Sequence, residues 1–201
     1  MARPKIEDQR REEVLRAFEA CVVRNGLPET TLEDMAAEAG LPRSLARYFV
    51  GNRDDMVELL IERMVARAES SLRLFQKQEG DLDARKAVDF LFDKVFANDT
   101  SNAVVGELWY VARRDEHTRV TLRAVYARLA REFTAVLSAD PRVRAPKKEV
   151  ESVAFSLLAL AYGDASLRVL GMKDVSTSRV RDQAYRLVAK LTNDGAKGAA
   201  Q

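Results

Sequence analysis

The segment Thr31–Val50 constrains this chain more than any other twenty residues, because it has room for two short helices and one sharp corner and little else. Thr31 is a helix-capping residue, and Asp34 stands three positions on, where a carboxylate can reach back to the cap. Leu32, Met35, Ala36 and Ala39 then recur at helical spacing. Gly40 supplies the left-handed backbone that ends a helix in a tight turn, and Pro42 cannot continue that helix but suits the first turn of another. The spacing predicts a second helix over 43–50 that buries Leu45, Ala46 and Phe49 or Val50. Its other face carries Arg43, Ser44, Arg47 and Tyr48, side chains suited to phosphates and base edges. A purely structural helical hairpin is the competing reading of these residues alone.

The flanks extend the pattern. Upstream, Arg10–Asn25 places Val14, Phe18, Cys21 and Val22 on one helical face and stops at Gly26 and Pro28. Downstream, Asn52 is a good cap, and Asp54 and Asp55 suit the positive end of a helix dipole. They open a long helix, 54–78, with Val57, Leu60, Ile61, Met64, Ala68, Leu72 and Phe75 at helical spacing. Three short helices followed by a long one, with Thr30–Ala36, Ala39-Gly40-Leu41 and Phe49–Met56 at their joints, resemble the DNA-binding end of tetracycline-repressor (TetR) family regulators. The resemblance runs from about Arg10 to Met64. It implies a helix-turn-helix at 31–50 that reads a palindromic operator in double-stranded DNA, with Thr31, Arg43, Ser44, Arg47, Tyr48, Asn52 and Arg53 at the interface.

Several positions depart from the family pattern. Pro42 stands where a capping residue is usual, Ser44 where Gly or Ala is usual, and Ala46 where Leu or Ile is usual. Arg47 replaces a tyrosine that in the family often touches the DNA backbone, a contact an arginine can keep as a charge-assisted bond. Val50 takes an aromatic position, and Arg53 keeps the charge of a usual lysine. Charge adds only local support. The chain carries +2 overall, and residues 1–50 hold eight Lys or Arg against nine Asp or Glu, so no domain-wide basic footprint exists. Arginines at 43, 47 and 53 cluster instead around the second helix, while Glu33, Asp34 and Glu38 sit on the first.

Composition narrows the remaining classes. At 201 residues, with nine glycines and five prolines set mostly between apolar-periodic segments, the chain reads as all-α with about nine helices. The expected organisation is a DNA-binding domain over 7–66, a ligand-binding and dimerisation domain over 67–192, and a disordered tail over 193–201, with Met1–Ile6 a mobile arm. One cysteine, Cys21, forms no internal disulfide, and its place on an apolar helical face makes it a small core residue. The longest uncharged stretch, Ser152–Gly163, is too short for a membrane span, so no membrane partner and a cytoplasmic location are expected. A single histidine, His117, allows no His pair for a metal, and no phosphate loop or nucleophile elbow is present. No enzymatic activity, cofactor or metal is expected.

The C-terminal two-thirds shows helical periodicity near 82–97, 102–114, 118–138, 148–170 and 177–191. The stretch Val153–Tyr162 is apolar almost all round, and a helix of that kind must be covered on every side. That predicts a core on one side and a second copy of the chain on the other, with Leu157, Leu160, Ala161, Ala184, Leu187 and Leu191 in the seam. TetR-like proteins dimerise through their last two long helices, which agrees. Trp109, Tyr126 and Leu160–Asp164 are spaced in a way that is similar to the sensor domains of choline-responsive BetI-type repressors. Trp109, Arg113, Tyr126, Tyr162 and Asp164 are therefore candidates for a pocket taking an unidentified small effector. An aromatic wall beside a carboxylate suits a cation, whereas Arg113 is placed to neutralise Asp164 or to hold an anion. The competing reading puts Asp164 at the helix surface or across the dimer seam. The function implied is a homodimeric transcriptional regulator, a repressor released by a small molecule. The alternative is a helical protein–protein adaptor with a degenerate helix-turn-helix.

Overall fold

The computed structural model describes residues 3–78 and 83–192. Among them are nine α-helices: α1 (Arg3–Asn25), α2 (Leu32–Ala39), α3 (Arg43–Val50), α4 (Arg53–Gln78), α5 (Ala84–Phe90), α6 (Asp99–Ala112), α7 (Glu116–Ala139), α8 (Lys147–Val169) and α9 (Lys173–Leu191). The fold is all-α, and the extended pairing described is a single bridge between Val143 and Thr192. Helices α6 and α9 start a few residues earlier than the sequence predicts, at Asp99 and Lys173, and two further differences change what a segment is. Helix α1 begins at Arg3, so Arg3–Ile6 are helical rather than an arm; Pro4 sits in the first turn, where its missing N–H costs nothing. The helix expected over 82–97 is α5 followed by one π-helical turn, Leu91–Val95, in which Phe96 N–H reaches back five residues to Leu91 O at 3.0 Å. The predicted tail, 193–201, lies outside the described residues.

The chain divides into two compact units. The first comprises Met1–Arg67 and Thr100–Leu122. Its centre is the inner face of α1, where Val14, Phe18, Cys21 and Val22 have no exposed surface. Met35 and Ala36 of α2, Ala46 and Val50 of α3, and Met56, Val57, Leu60 and Ile61 of α4 are buried as well. Glu19, also buried, is held by Arg63 at 3.0 Å and by Arg67 in two bonds of 2.7 and 2.8 Å. A buried carboxylate is tolerable only with partners of this kind. Helix α6 and the start of α7 fold with this unit rather than with the residues around them in sequence. Val104, Val105, Leu108 and Ala112 form a buried stripe on α6, and two hydrogen bonds tie α6 to this unit: Ser101 accepts from Arg67 at 3.1 Å and Glu107 from Leu27 N–H at 2.8 Å.

The second unit comprises Ala68–Asp99 and Arg123–Gln201. Its core gathers Leu72 and Phe75 of α4, Val88 and Leu91, Phe133 and Leu137 of α7, and Ala184, Val188 and Leu191 of α9 around one face of α8. Helix α8 supplies Val150, Val153, Ala154, Leu157, Leu158, Ala161 and Ala165 to it. By length and composition α8 is apolar enough to cross a membrane, and its place in this core accounts for the apolarity of one face. Asp140, buried after α7, accepts from Ala84 N–H at 2.9 Å at the start of α5 and from the Arg142 guanidinium at 2.8 and 3.0 Å. The Arg142 guanidinium holds its carboxyl down at about 2.

Candidate nucleic-acid interface

Backbone caps build the α2–α3 corner. Thr31 Oγ accepts from Asp34 N–H at 3.1 Å while Thr31 N–H donates to Asp34 Oδ2 at 3.0 Å, a closed capping box. The Thr31 hydroxyl also donates to that carboxylate, and these bonds hold Asp34 below its ordinary acidity range. At the other end Gly40 takes φ 64°, ψ 34°. Gly40 N–H then reaches Ala37 O at 3.2 Å, and Leu41 N–H reaches Ala36 O at 2.9 Å, which closes the helix in a Schellman turn. Pro42 follows at φ −59°, and its carbonyl accepts from Leu45 and Ala46 N–H to start α3.

This corner turns one face of α3 outward. Arg43, Ser44, Arg47 and Tyr48 are all exposed, Tyr48 by 69% of its surface. Ala46 and Val50 are buried beneath, and Phe49 is half-buried with its ring edge-on to Tyr48 at 5.2 Å. Leu45, expected inside, is 38% exposed. An eight-residue helix resting on two small anchor positions has no room to bury a third, and Leu45 joins the rim of the outward face. Arg43 is held by Glu33 of α2 at 2.7 Å, and Arg24 of α1 by Glu38 at 2.9 Å. Two of the three acids of α2, Glu33 and Glu38, thus occupy arginines near the corner. Thr31 and Asn52 are exposed but serve as caps: Asn52 Oδ1 accepts from Asp54 and Asp55 N–H at 2.8 and 3.1 Å. The side chain of Arg53 lies outside the described residues.

The dimer and pocket candidates fall differently. Leu157, Ala161, Ala184 and Leu191 have at most 1% of their surface exposed, because the chain's own core covers them. Placing them in the seam is therefore corrected; Leu160 and Leu187 remain half-buried. The uncovered side of α8 is the opposite stripe. Phe155 (66% exposed), Ala159, Val169 (59%) and Leu170 (75%) share it at helical spacing with half-buried Tyr162, Gly163 and Ser166. Sequence spacing alone identified α8 as apolar all round but did not tell which face its own chain would take.

Asp164 is not at the surface. It is fully buried and paired with Arg168 one turn on, and Arg168 also donates to Phe96 O at 2.5 Å, where the π-helical turn ends. Tyr162 meets Phe96 edge-on at 6.4 Å, so Tyr162, Asp164 and Arg168 converge on one point of the second unit. Half-buried Tyr126 belongs to the same unit, while Trp109 and Arg113, both exposed, belong to the first. Arg168 is the partner that sequence reasoning missed, although its four-residue spacing from Asp164 was a usable signal.

Solved structures match over nearly the whole chain. A TetR transcription regulator from Haloarcula marismortui covers 92% of this chain and 99% of its own, at 18% identity and a TM-score of 0.69. A Saccharomonospora viridis protein solved in complex with choline covers 90% and 96%, at 16% identity and a TM-score of 0.74. Among curated sequences, the HTH-type transcriptional regulator BetI of Stenotrophomonas maltophilia (strain R551-3) matches at 21% identity over 109 residues, 54% of this chain. The match spans about half, 55%, of that relative's length. No family model matches. The chain has the all-helical fold of TetR-family regulators.

Proposed function

We propose that this chain is a sequence-specific DNA-binding transcriptional regulator that acts as a homodimer, represses, and is released by a small molecule. One observation carries the reading: a cap-built corner turns Arg43, Ser44, Arg47 and Tyr48 outward together on one short helix. These are side chains that position on phosphates and read base edges. The fold and the BetI-type match support it. A two-fold dimer would set its recognition helices about 34–36 Å apart, or a multiple of that, on an imperfect palindrome. The exposed α8 stripe around Phe155 is the surface we assign to the second copy, since a stripe that apolar is costly to leave in water. The effector site belongs with Tyr162, Asp164 and Arg168 in the second unit. Choline in the Saccharomonospora viridis structure shows that this fold accommodates a small molecule. In this reading the chain works on DNA in the cytoplasm as a regulator rather than an enzyme.

The test is a gel shift with the DNA upstream of the chain's own gene, followed by footprinting. A shift that survives unrelated competitor DNA, with a protected imperfect palindrome, is expected. No preference over competitor DNA overturns the reading in favour of the adaptor, which the pairing of Arg43 and Arg24 with α2 acids would suit.

A further inference from the structure

Two glycine corners of the first unit solve the same problem differently. At Gly40 the helix closes on itself: the next residue, Leu41, returns its N–H to Ala36 O. At Gly26 (φ 80°) the end of α1 is simpler. Gly26 N–H returns to Val22 O at 2.9 Å, and the next N–H, that of Leu27, goes elsewhere. It donates at 2.8 Å to Oε2 of Glu107, eighty positions away on α6. The same carboxylate oxygen lies 3.3 Å from where a Cβ on Gly26 would sit, so the glycine is also what lets it approach. The Leu27 side chain is fully buried, and Thr30, 2% exposed, folds its hydroxyl back onto Gly26 O at 2.7 Å. The next residue is Thr31, the cap of α2. One carboxylate therefore fixes the six-residue link from which the α2–α3 corner starts.

From this we infer that Glu107 is a positioning residue for DNA binding: it ties the α1–α2 link to α6, so that DNA held by α3 and the state of α6 are energetically linked. The inference rests on the function proposed above and names its regulation. Helix α6 is suited to the part because the chain enters it from Asp99 of the second unit and leaves it through α7, which carries residues of both units. A charge-assisted bond to a backbone N–H is worth enough to matter, and linkage makes the coupling reciprocal. If α6 withdraws, Leu27 N–H loses its carboxylate and the corner loses its anchor. If DNA fixes the corner, α6 is held more tightly.

The experiment compares full-length wild type, Glu107→Ala and Glu107→Gln by hydrogen exchange, with and without the footprinted duplex, and measures duplex affinity alongside. Expected for Glu107→Ala is exchange at the Leu27 amide faster by roughly tenfold or more, with the amides of Val14–Val22 unchanged. Duplex affinity should fall roughly tenfold as well. In wild type the duplex should slow exchange over Ser101–Ala112, and in Glu107→Ala it should not. Glu107→Gln keeps a carbonyl acceptor and should recover most of each effect. A merely structural glutamate would lower protection everywhere, and that result in either variant overturns the inference. So does duplex-induced protection of α6 that persists in Glu107→Ala. If wild type shifts no DNA, the function reading falls and the linkage with it; DNA binding with α6 unlinked overturns the linkage alone.

Discussion

Helices α2 and α3 and helix α8 are held in place by opposite means. The two short helices bury two residues each, Met35 and Ala36, then Ala46 and Val50; α2 is closed by a capping box and a Schellman turn, and α3 runs from Pro42 to Gly51, whose N–H returns to Arg47 O. Helix α8, which like α3 starts after a proline with no side-chain cap, buries eight residues. The difference teaches where function can be carried. A helix fixed at its ends leaves a whole face free to meet a partner, whereas a helix fixed by its sides has spent its surface on the core.

The sharpest way to break this contrast is to substitute on the two faces of α8. Leu157→Ala opens a cavity at a side chain with no exposed surface, and should cost about 2–5 kcal/mol in urea unfolding. Phe155→Glu, two positions earlier on the open stripe, should cost little in monomer stability yet convert a dimer to monomers by light scattering. A Phe155→Glu protein that stays dimeric moves the seam elsewhere on the chain.

Acid sharpens the contrast from another side, because the second unit also has one strong polar tie. Asp140 titrates near 2 when folded against 3.8 unperturbed, so its stabilisation is complete above about pH 4 and is lost as pH falls toward 2. The linked contribution is on the order of 2 kcal/mol. Asp140→Asn should lower stability at pH 7 and flatten the acid limb of the unfolding curve between those values. An acid limb identical to wild type would place the acid-sensitive groups elsewhere.

The same division explains what was legible in the sequence. Thr31, Asp34, Gly40 and Asn52 close their bonds within a few residues, so the corner and the outward side chains of α3 could be read locally. The all-α fold followed from periodicity. What was not legible depends on packing and pairing in the fold: which face of α8 its own core takes, Arg168 beside Asp164, and α6 folding with the first unit. The π-helical turn after Phe90 has no local signature to distinguish it from continued α-helix.

At the recognition face, Arg47 and Arg43 should separate. Arg43 must release Glu33 before it can meet DNA, while Arg47 is exposed and has no ion-pair partner among the described residues. Arg47→Ala should therefore weaken operator binding by about 1–3 kcal/mol, and Arg43→Ala by less. Glu33→Gln should strengthen binding to all sequences and steepen its salt dependence, since it frees a cation for phosphate. Equal losses for the two arginines, measured by anisotropy at fixed salt, would mean that the Glu33 pair does not persist in solution.

The smallest effect bears most directly on how the corner is held. The Thr31 hydroxyl accepts from Asp34 N–H and donates to the Asp34 carboxylate, so its first role is to start α2. Thr31→Ala should cost about 1 kcal/mol in stability. It should also raise Asp34 toward its ordinary pKa, because the bonds that depress it run through Thr31. Thr31→Ser keeps the hydroxyl and should restore both. A direct phosphate contact predicts something different: operator affinity would fall with Thr31→Ala by more than the stability loss explains, and the salt slope would change with it. If α2 is held by its cap, affinity should follow stability and the salt slope should stay that of wild type. Unfolding in urea and a salt titration of operator binding on the same three proteins separate the two roles.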